Sequence, residues 1–224
     1  MADDKPKKKP QPVAYSPKGR AVYPKLSKPD FKFKPGGEYS VKLRLPEEEG
    51  RAFLAKFETL SESNHAEAVE AEKGKKDKKT GKLLEAPVND GLPFQIEMNK
   101  ETQEPTGNIL ITFKANASYK KDDVTKELPA PTIVDSMAKK TTAEVGGGSV
   151  IKVAFQPFPY YNDATRKAGV SFRLQGVQVI ELKQFGADLD FGVEEGGYVA
   201  EEQGFQPQQQ EGPSGVSPSS KGNF

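Results

Sequence analysis

GGGSVIKVAFQPFPYYNDATRKAGVSFRLQGVQVIEL, from Gly146 to Leu182, is the stretch that decides the fold. Ile151, Val153 and Phe155 alternate with Lys152, Ala154 and Gln156. Further on, Val170, Phe172 and Leu174 alternate with Ser171, Arg173 and Gln175. Period-two alternation puts the apolar set on one face of a strand and the polar or basic set on the other. The stretch therefore predicts two β-strands joined by an aromatic, proline-rich crossing where Phe158, Tyr160 and Tyr161 cluster. A sheet with one basic face and aromatic rings at its rim suits a flexible polyanion, above all single-stranded nucleic acid.

The same alternation recurs upstream. Between Glu38 and Leu45, Tyr39, Val41, Leu43 and Leu45 oppose Ser40, Lys42 and Arg44. A first strand is expected within Arg20 to Leu26, broken by Pro24 and so at an edge, before a turn at Gly36-Gly37. Pro46 followed by Glu47, Glu48 and Glu49 suits a helix entry, because early acids complement the helix dipole. Phe53, Leu54, Phe57 and Leu60 carry helical spacing, expected to continue through Ala66 and Val69. The charged run KGKKDKKTGK from Lys73 to Lys82 reads as a basic loop. Strand patterns return at Phe94 to Met98, Asn108 to Ser118 and Thr132 to Val134. The expectation is a mainly β chain of about five principal strands with one main inserted helix. Closing the strands into a barrel would bury their apolar faces and remove open edges. The oligonucleotide-binding (OB) barrel fits best, although alternation alone would equally allow a β-sandwich.

Composition sets the flanks. Gly and Pro together fill 39 of 224 positions and charged residues make up 29%, which argues for one core with disordered ends. Residues 1–18 read as a disordered basic N-terminal arm, 19–186 as the barrel and 187–224 as a disordered tail, acidic in its first half. From residue 188 onward seven acidic side chains face only Lys221, a balance of −6; since the whole chain is +1, residues 1–187 carry +7. A basic body with an acidic tail is the informative pattern. There are no cysteines, which fits a reducing cytoplasm, and no run approaches the ~20 apolar residues that span a bilayer. The start, MADDKPKKKP, lacks the apolar stretch of a secretory signal.

Candidate binding residues follow from the non-core strand positions: Lys42, Arg44, Lys114, Lys152 and Arg173. Any one strand lysine is more often simply solvated, yet recurrence on most major strands favours a face for phosphates, with salt-dependent binding. Most phenylalanines, Phe31, Phe33 and Phe94 among them, fall at core-pattern positions and are assigned to packing. Tyr119, Phe158, Tyr160 and Tyr161 lie instead at strand ends beside polar residues, Lys120 among them, where bases would stack; capping of the barrel by the tyrosines is the alternative. Other chemistry finds no residues. One histidine, His65, and no cysteine rule out a nitrogen- or sulfur-ligated zinc site, and Asp122-Asp123 read as solvated acids rather than magnesium ligands. Gly146-Gly147-Gly148 is not a phosphate loop, because no Lys-Ser/Thr follows it in register. No catalytic arrangement, cofactor or metal is implied. An RNA-binding module and a protein-only adaptor remain the competing readings.

Several pieces together resemble the T7-type bacteriophage single-stranded DNA-binding proteins: SKPD at Ser27–Asp30, TFKANAS at Thr112–Ser118, IVDS at Ile133–Ser136, GGGS at Gly146–Ser149, IKVAF at Ile151–Phe155, Pro159-Tyr160, VIELKQF at Val179–Phe185, EEGGYVA at Glu194–Ala200 and the terminal Phe224. They stand in the family's order. The resemblance implies an OB-fold, work in phage DNA replication, recombination and repair in the host cell cytoplasm, and a tail that contacts the phage DNA polymerase and helicase-primase through its terminal aromatic residue, here Phe224. It is also compatible with a homodimer. Tyr160 and Lys114 match family positions implicated in DNA contact. Ala154 and Gly36 stand where the family pattern can have basic residues, so those contacts do not carry over. The tail departs most: its acids largely stop at Glu202, before FQPQQQEGPSGVSPSSKGNF, so its electrostatic competition with DNA should be weaker than that of a continuous acidic tail.

Overall fold

The computed structural model describes residues 11–76, 79–121 and 124–184. Its elements in chain order are β1 (Ala14–Tyr15), β2 (Gly19–Asp30), β3 (Glu38–Pro46), α1 (Glu47–Leu54), α2 (Glu58–Glu72), β4 (Val88–Gly91), β5 (Phe94–Met98), β6 (Pro105–Asn116), β7 (Ser118–Lys121), β8 (Val124–Glu127), β9 (Thr132–Val134), β10 (Val150–Asn162) and β11 (Lys167–Glu181). Five long strands close a ring of pairings. β2 pairs β3, β3 pairs β6, β6 runs parallel to β11, β11 pairs β10, and β10 returns to β2 through Val150 and Ile151. Numbered among themselves these strands lie in the order 1-2-3-5-4, the Greek-key barrel of an OB-fold.

The alternating apolar residues fill that barrel. Val41, Leu43, Ile111, Phe113, Ile151, Val153 and Phe155 are fully buried, and Val170, Phe172 and Leu174 nearly so. The helical run leaves β3 at Pro46, turns through a short 3-10 segment at Ala55–Phe57 and sets two rings against the barrel. Phe57 lies 5.6 Å from Phe155 and 5.1 Å from Phe172 between ring centroids, and Phe53 packs edge-on to both. Edge-to-face pairs of this kind add to simple burial.

Four expectations need correction. The aromatic, proline-rich segment is not a crossing: β10 runs straight through Pro157 and Pro159 to Asn162, and the turn is Asp163–Arg166. Proline is tolerated there because β1 and β2 pair only with the earlier half of β10, so its second neighbour is missing beyond Phe155. β2 is not an edge strand along its whole length: Gly19 and Arg20 lie between β10 and β3, and beyond them β3 is its one strand partner among the described residues. Pro24 sits instead in a bulge, where Tyr23 and Pro24 have no register partner between Val22 and Lys25. α2 does not continue an apolar face through Ala66 and Val69. Its buried positions are Ser61, Asn64, Ala68 and Glu72, a polar stripe that hydrophobic periodicity does not detect. Finally, Phe31, Phe33 and Phe94 are exposed rather than core, Phe33 by 87%. Of the segment expected to be a basic arm, Ala14–Tyr15 pairs with β10, and the Ser16 hydroxyl accepts from the Val153 amide at 2.9 Å.

Candidate nucleic-acid interface

Strand register carries one row of side chains across the outer barrel wall. Lys25 stands opposite Ser40, Ser40 opposite Lys114, Lys114 beside Arg173, and Arg173 opposite Gln156. Apart from Pro24 in the bulge, the residues that flank each of these along its own strand are buried or pack against the core, so the row faces solvent. Lys42 lies two positions from Ser40 on the same face of β3. The Arg173 guanidinium covers the Phe158 ring, with Cζ 3.1 Å from the ring centroid, and its partial burial lowers its pKa. Beside the row opens a cavity of about 210 Å3 lined by Tyr23, Phe33, Lys34, Lys42, Thr112 and Lys114 among others. Tyr23 is 66% exposed and has φ 49°, a left-handed backbone that a non-glycine residue seldom adopts. The residue lies in the bulge with Pro24.

Acids already occupy part of this face. Glu38 binds Lys114 at 2.9 Å and Lys34 at 3.7 Å, while Lys42 donates to Gln95 at 3.2 Å. The exposed pairs are weak, so a phosphate can replace the carboxylate at small cost.

Tyr160 stands two residues beyond Phe158 on the same outer side of β10. Its hydroxyl donates to Asp90 at 2.5 Å, and Lys167 donates to the other oxygen of Asp90 at 2.8 Å. The Lys167 ammonium, then the Tyr160 hydroxyl, hold the Asp90 carboxyl below its ordinary value. Burial, reinforced by the Asp90 carboxylate, pushes the Tyr160 phenol well above its usual range, so it stays a donor at neutral pH. From behind, Asn64 of α2 donates to the carbonyls of Tyr160 and Gly169, both at 2.9 Å. Arg166, at the turn, reaches Glu72 at 3.1 Å, and Glu72 also holds Lys75. The rim that carries Tyr160 is thus tied down by polar residues of α2 and by Asp90 of β4.

The structure brings Lys42, Lys114, Arg173 and Phe158 together, with Tyr160 further along β10. It separates the other candidates. Tyr161 faces the opposite way by strand alternation; its hydroxyl is buried, and burial together with the Glu72 charge raises its pKa. Arg44 is tied to Glu97, which also accepts from Thr106 and Asn108 and so fastens β5 to the barrel. Lys152 lies at the far end of β10 in a different cavity of about 320 Å3, with Tyr15, Val134 and Ala154. Tyr119 and Lys120 belong to a separate two-stranded hairpin, whose base is fixed where the Ser118 hydroxyl donates to the Gly36 carbonyl at 2.8 Å. Phe224 and Asp122-Asp123 lie outside the described residues. Sequence reading missed Tyr23 and Phe33. Their nearest signal was Pro24, which breaks the strand beside Tyr23.

A five-strand Greek-key barrel with cations and rings ranged across one outer wall defines an OB-fold protein. The chain belongs to the family of the bacteriophage T7 single-stranded DNA-binding protein, which matches residues 18–182. The single-stranded DNA-binding protein of Enterobacteria phage T3 is 32% identical over 197 residues, covering 80% of this chain and 82% of that protein. Its counterpart from Escherichia phage T7 is 31% identical, with 80% of each covered. Among solved structures, gp2.5, the single-stranded DNA-binding protein encoded by bacteriophage T7, superposes with a TM-score of 0.60 at 30% identity, over 85% of this chain and 100% of that one. The single-stranded DNA-binding protein of bacteriophage Enc34, solved with single-stranded DNA, shares the fold at TM-score 0.51 and 17% identity, over 78% of this chain and 89% of its own.

Proposed function

We propose that this protein coats and protects single-stranded DNA during phage DNA replication, recombination and repair in the host cell cytoplasm, largely without regard to sequence. The observation that carries the reading is the contiguous row of Lys114, Arg173 and neighbouring Lys42 beside the exposed rings of Tyr23 and Phe33, with half-buried Tyr160 further along β10. The lysines neutralise phosphates and the rings stack bases; neither contact reads base edges, so affinity depends little on sequence. Family membership supports the same ligand. The protein acts by binding, not catalysis. Its acidic tail ends in Phe224, which serves as an aromatic anchor for the phage DNA polymerase and helicase-primase. The tail's few acids compete only weakly with DNA. Fluorescence anisotropy of a labelled oligo-dT, with duplex DNA and RNA as competitors, tests the reading. Tight binding that both compete for poorly supports it. Equal competition by RNA would make the chain a general single-strand binder, and absence of binding at low salt would leave the protein-only adaptor.

A further inference from the structure

We infer that Arg173 and Phe158 form a composite stacking station, in which the guanidinium plane, backed by the ring, receives a nucleobase on its outer face. The inference rests on the proposed DNA-binding role and assigns Arg173 a contact different from a phosphate clamp. Three observations carry it. First, Cζ lies 3.1 Å from the Phe158 centroid, a separation possible only above the face of the ring. A guanidinium steeply tilted at that height would drive a nitrogen into the ring, so the two planes lie face to face. Second, Arg173 is exposed, which leaves its outer plane open while the inner plane is covered. Third, Arg173 has no carboxylate within ion-pair distance among the described residues, whereas Lys114 has Glu38 and Lys167 has Asp90.

The chemistry favours a base over a phosphate. A guanidinium is planar, delocalised and weakly hydrated, and it stacks on aromatic faces where an ammonium does not. Phe158 fixes its orientation in advance, so little rotamer freedom is left to lose when a base arrives. Lys114, the adjacent register partner one strand away at about 4.8 Å, is positioned for a phosphate of the same stretch of strand. The row thus divides its work: Lys114 takes the backbone and Arg173 takes a base. Stacking of this kind tolerates any base.

The test compares oligo-dT with an abasic oligonucleotide of equal length, which keeps every phosphate and lacks the bases. R173K keeps the charge and removes the plane; F158L removes the support beneath it. Both variants should weaken oligo-dT binding about five- to tenfold. Abasic binding should stay within about twofold, and the salt slope, which counts neutralised phosphates, should not change. Equal losses on both ligands would make Arg173 a phosphate contact and overturn the inference, as would no loss on either. If the wild-type chain fails to bind oligo-dT, the DNA-binding reading itself falls, so the two failures are distinguishable.

Discussion

Replacing Asn64 by alanine should destabilise the fold more than any neighbouring change on α2, although Asn64 belongs to no apolar pattern. The side chain is 2% exposed, and one amide nitrogen satisfies the carbonyls of Tyr160 and Gly169 on two adjacent strands, each at 2.9 Å. N64A removes both donors and leaves two acceptors facing a gap that alanine does not fill. An orphaned buried acceptor costs about 1–3 kcal/mol. The Tyr160 carbonyl is only partly buried, and water will recover some of its loss, so the expected total is about 2–4 kcal/mol. For a domain of this size that corresponds to a fall in Tm of roughly 5–15 °C. N64D should do worse, because it sets a carboxylate against two carbonyls. Exposed Ser63 supplies the control, with S63A within about 0.5 kcal/mol of wild type. Urea unfolding followed by circular dichroism measures these values, with an unchanged m as the check on two-state behaviour. A loss below about 1 kcal/mol for N64A would refute the view that this polar strut holds the Tyr160 rim.

Other consequences concern the binding face directly. E38Q removes the carboxylate that competes for Lys114 and Lys34, and should tighten oligo-dT binding up to about fivefold at low salt; weaker binding would contradict the competition. F33A and Y23A, which truncate exposed rings beside the row, should each weaken oligo-dT binding about five- to tenfold without lowering Tm, as anisotropy and thermal melts will record. The acid limb of stability has a determined sign. Asp90 and Glu72 both have folded pKa values below their ordinary ones, through Lys167 and Tyr160 for Asp90 and chiefly through Lys75 and Arg166 for Glu72. Their contribution is therefore fully present above the unfolded carboxylate range near ~4 and is lost as pH falls through the folded values. Urea midpoints measured from neutral to acid pH should show the gap between wild type and E72Q closing in that range; a gap that widens would reverse the sign.

How far the sequence disclosed this molecule depends on which force placed each residue. The barrel was legible because its strands obey strict alternation, and Ile151, Val153, Phe155 and Phe172 are buried where the pattern put them. Register was not legible, so the adjacency of Lys114 and Arg173 could be seen only once β6 and β11 were found in parallel. The same gap left Lys152 grouped with residues it does not approach. Phe33 and Phe94 illustrate a second limit: an aromatic residue at a core-like spacing says nothing about whether an opposite wall exists to cover it. Asn64 and Glu72 illustrate a third. Buried polar residues hold α2 against the barrel through hydrogen bonds and ion pairs, and hydrophobic periodicity is blind to them. Tyr160 was singled out because it stands among strand-end polar residues, yet its partner Asp90 comes from a segment far back in the chain that no local reading connects.

A cationic, ring-bearing barrel wall that grips the backbone of single-stranded DNA must bind it in a salt-dependent way. The most direct measurement is the affinity of wild type and K114A for oligo-dT as a function of salt, plotted as log K against log salt concentration. Each phosphate contact contributes a slope of about −0.7 on a single strand. Wild type should show a clearly negative slope, and K114A one shallower by about that single increment. A salt-independent affinity, or identical slopes for the two proteins, would contradict it.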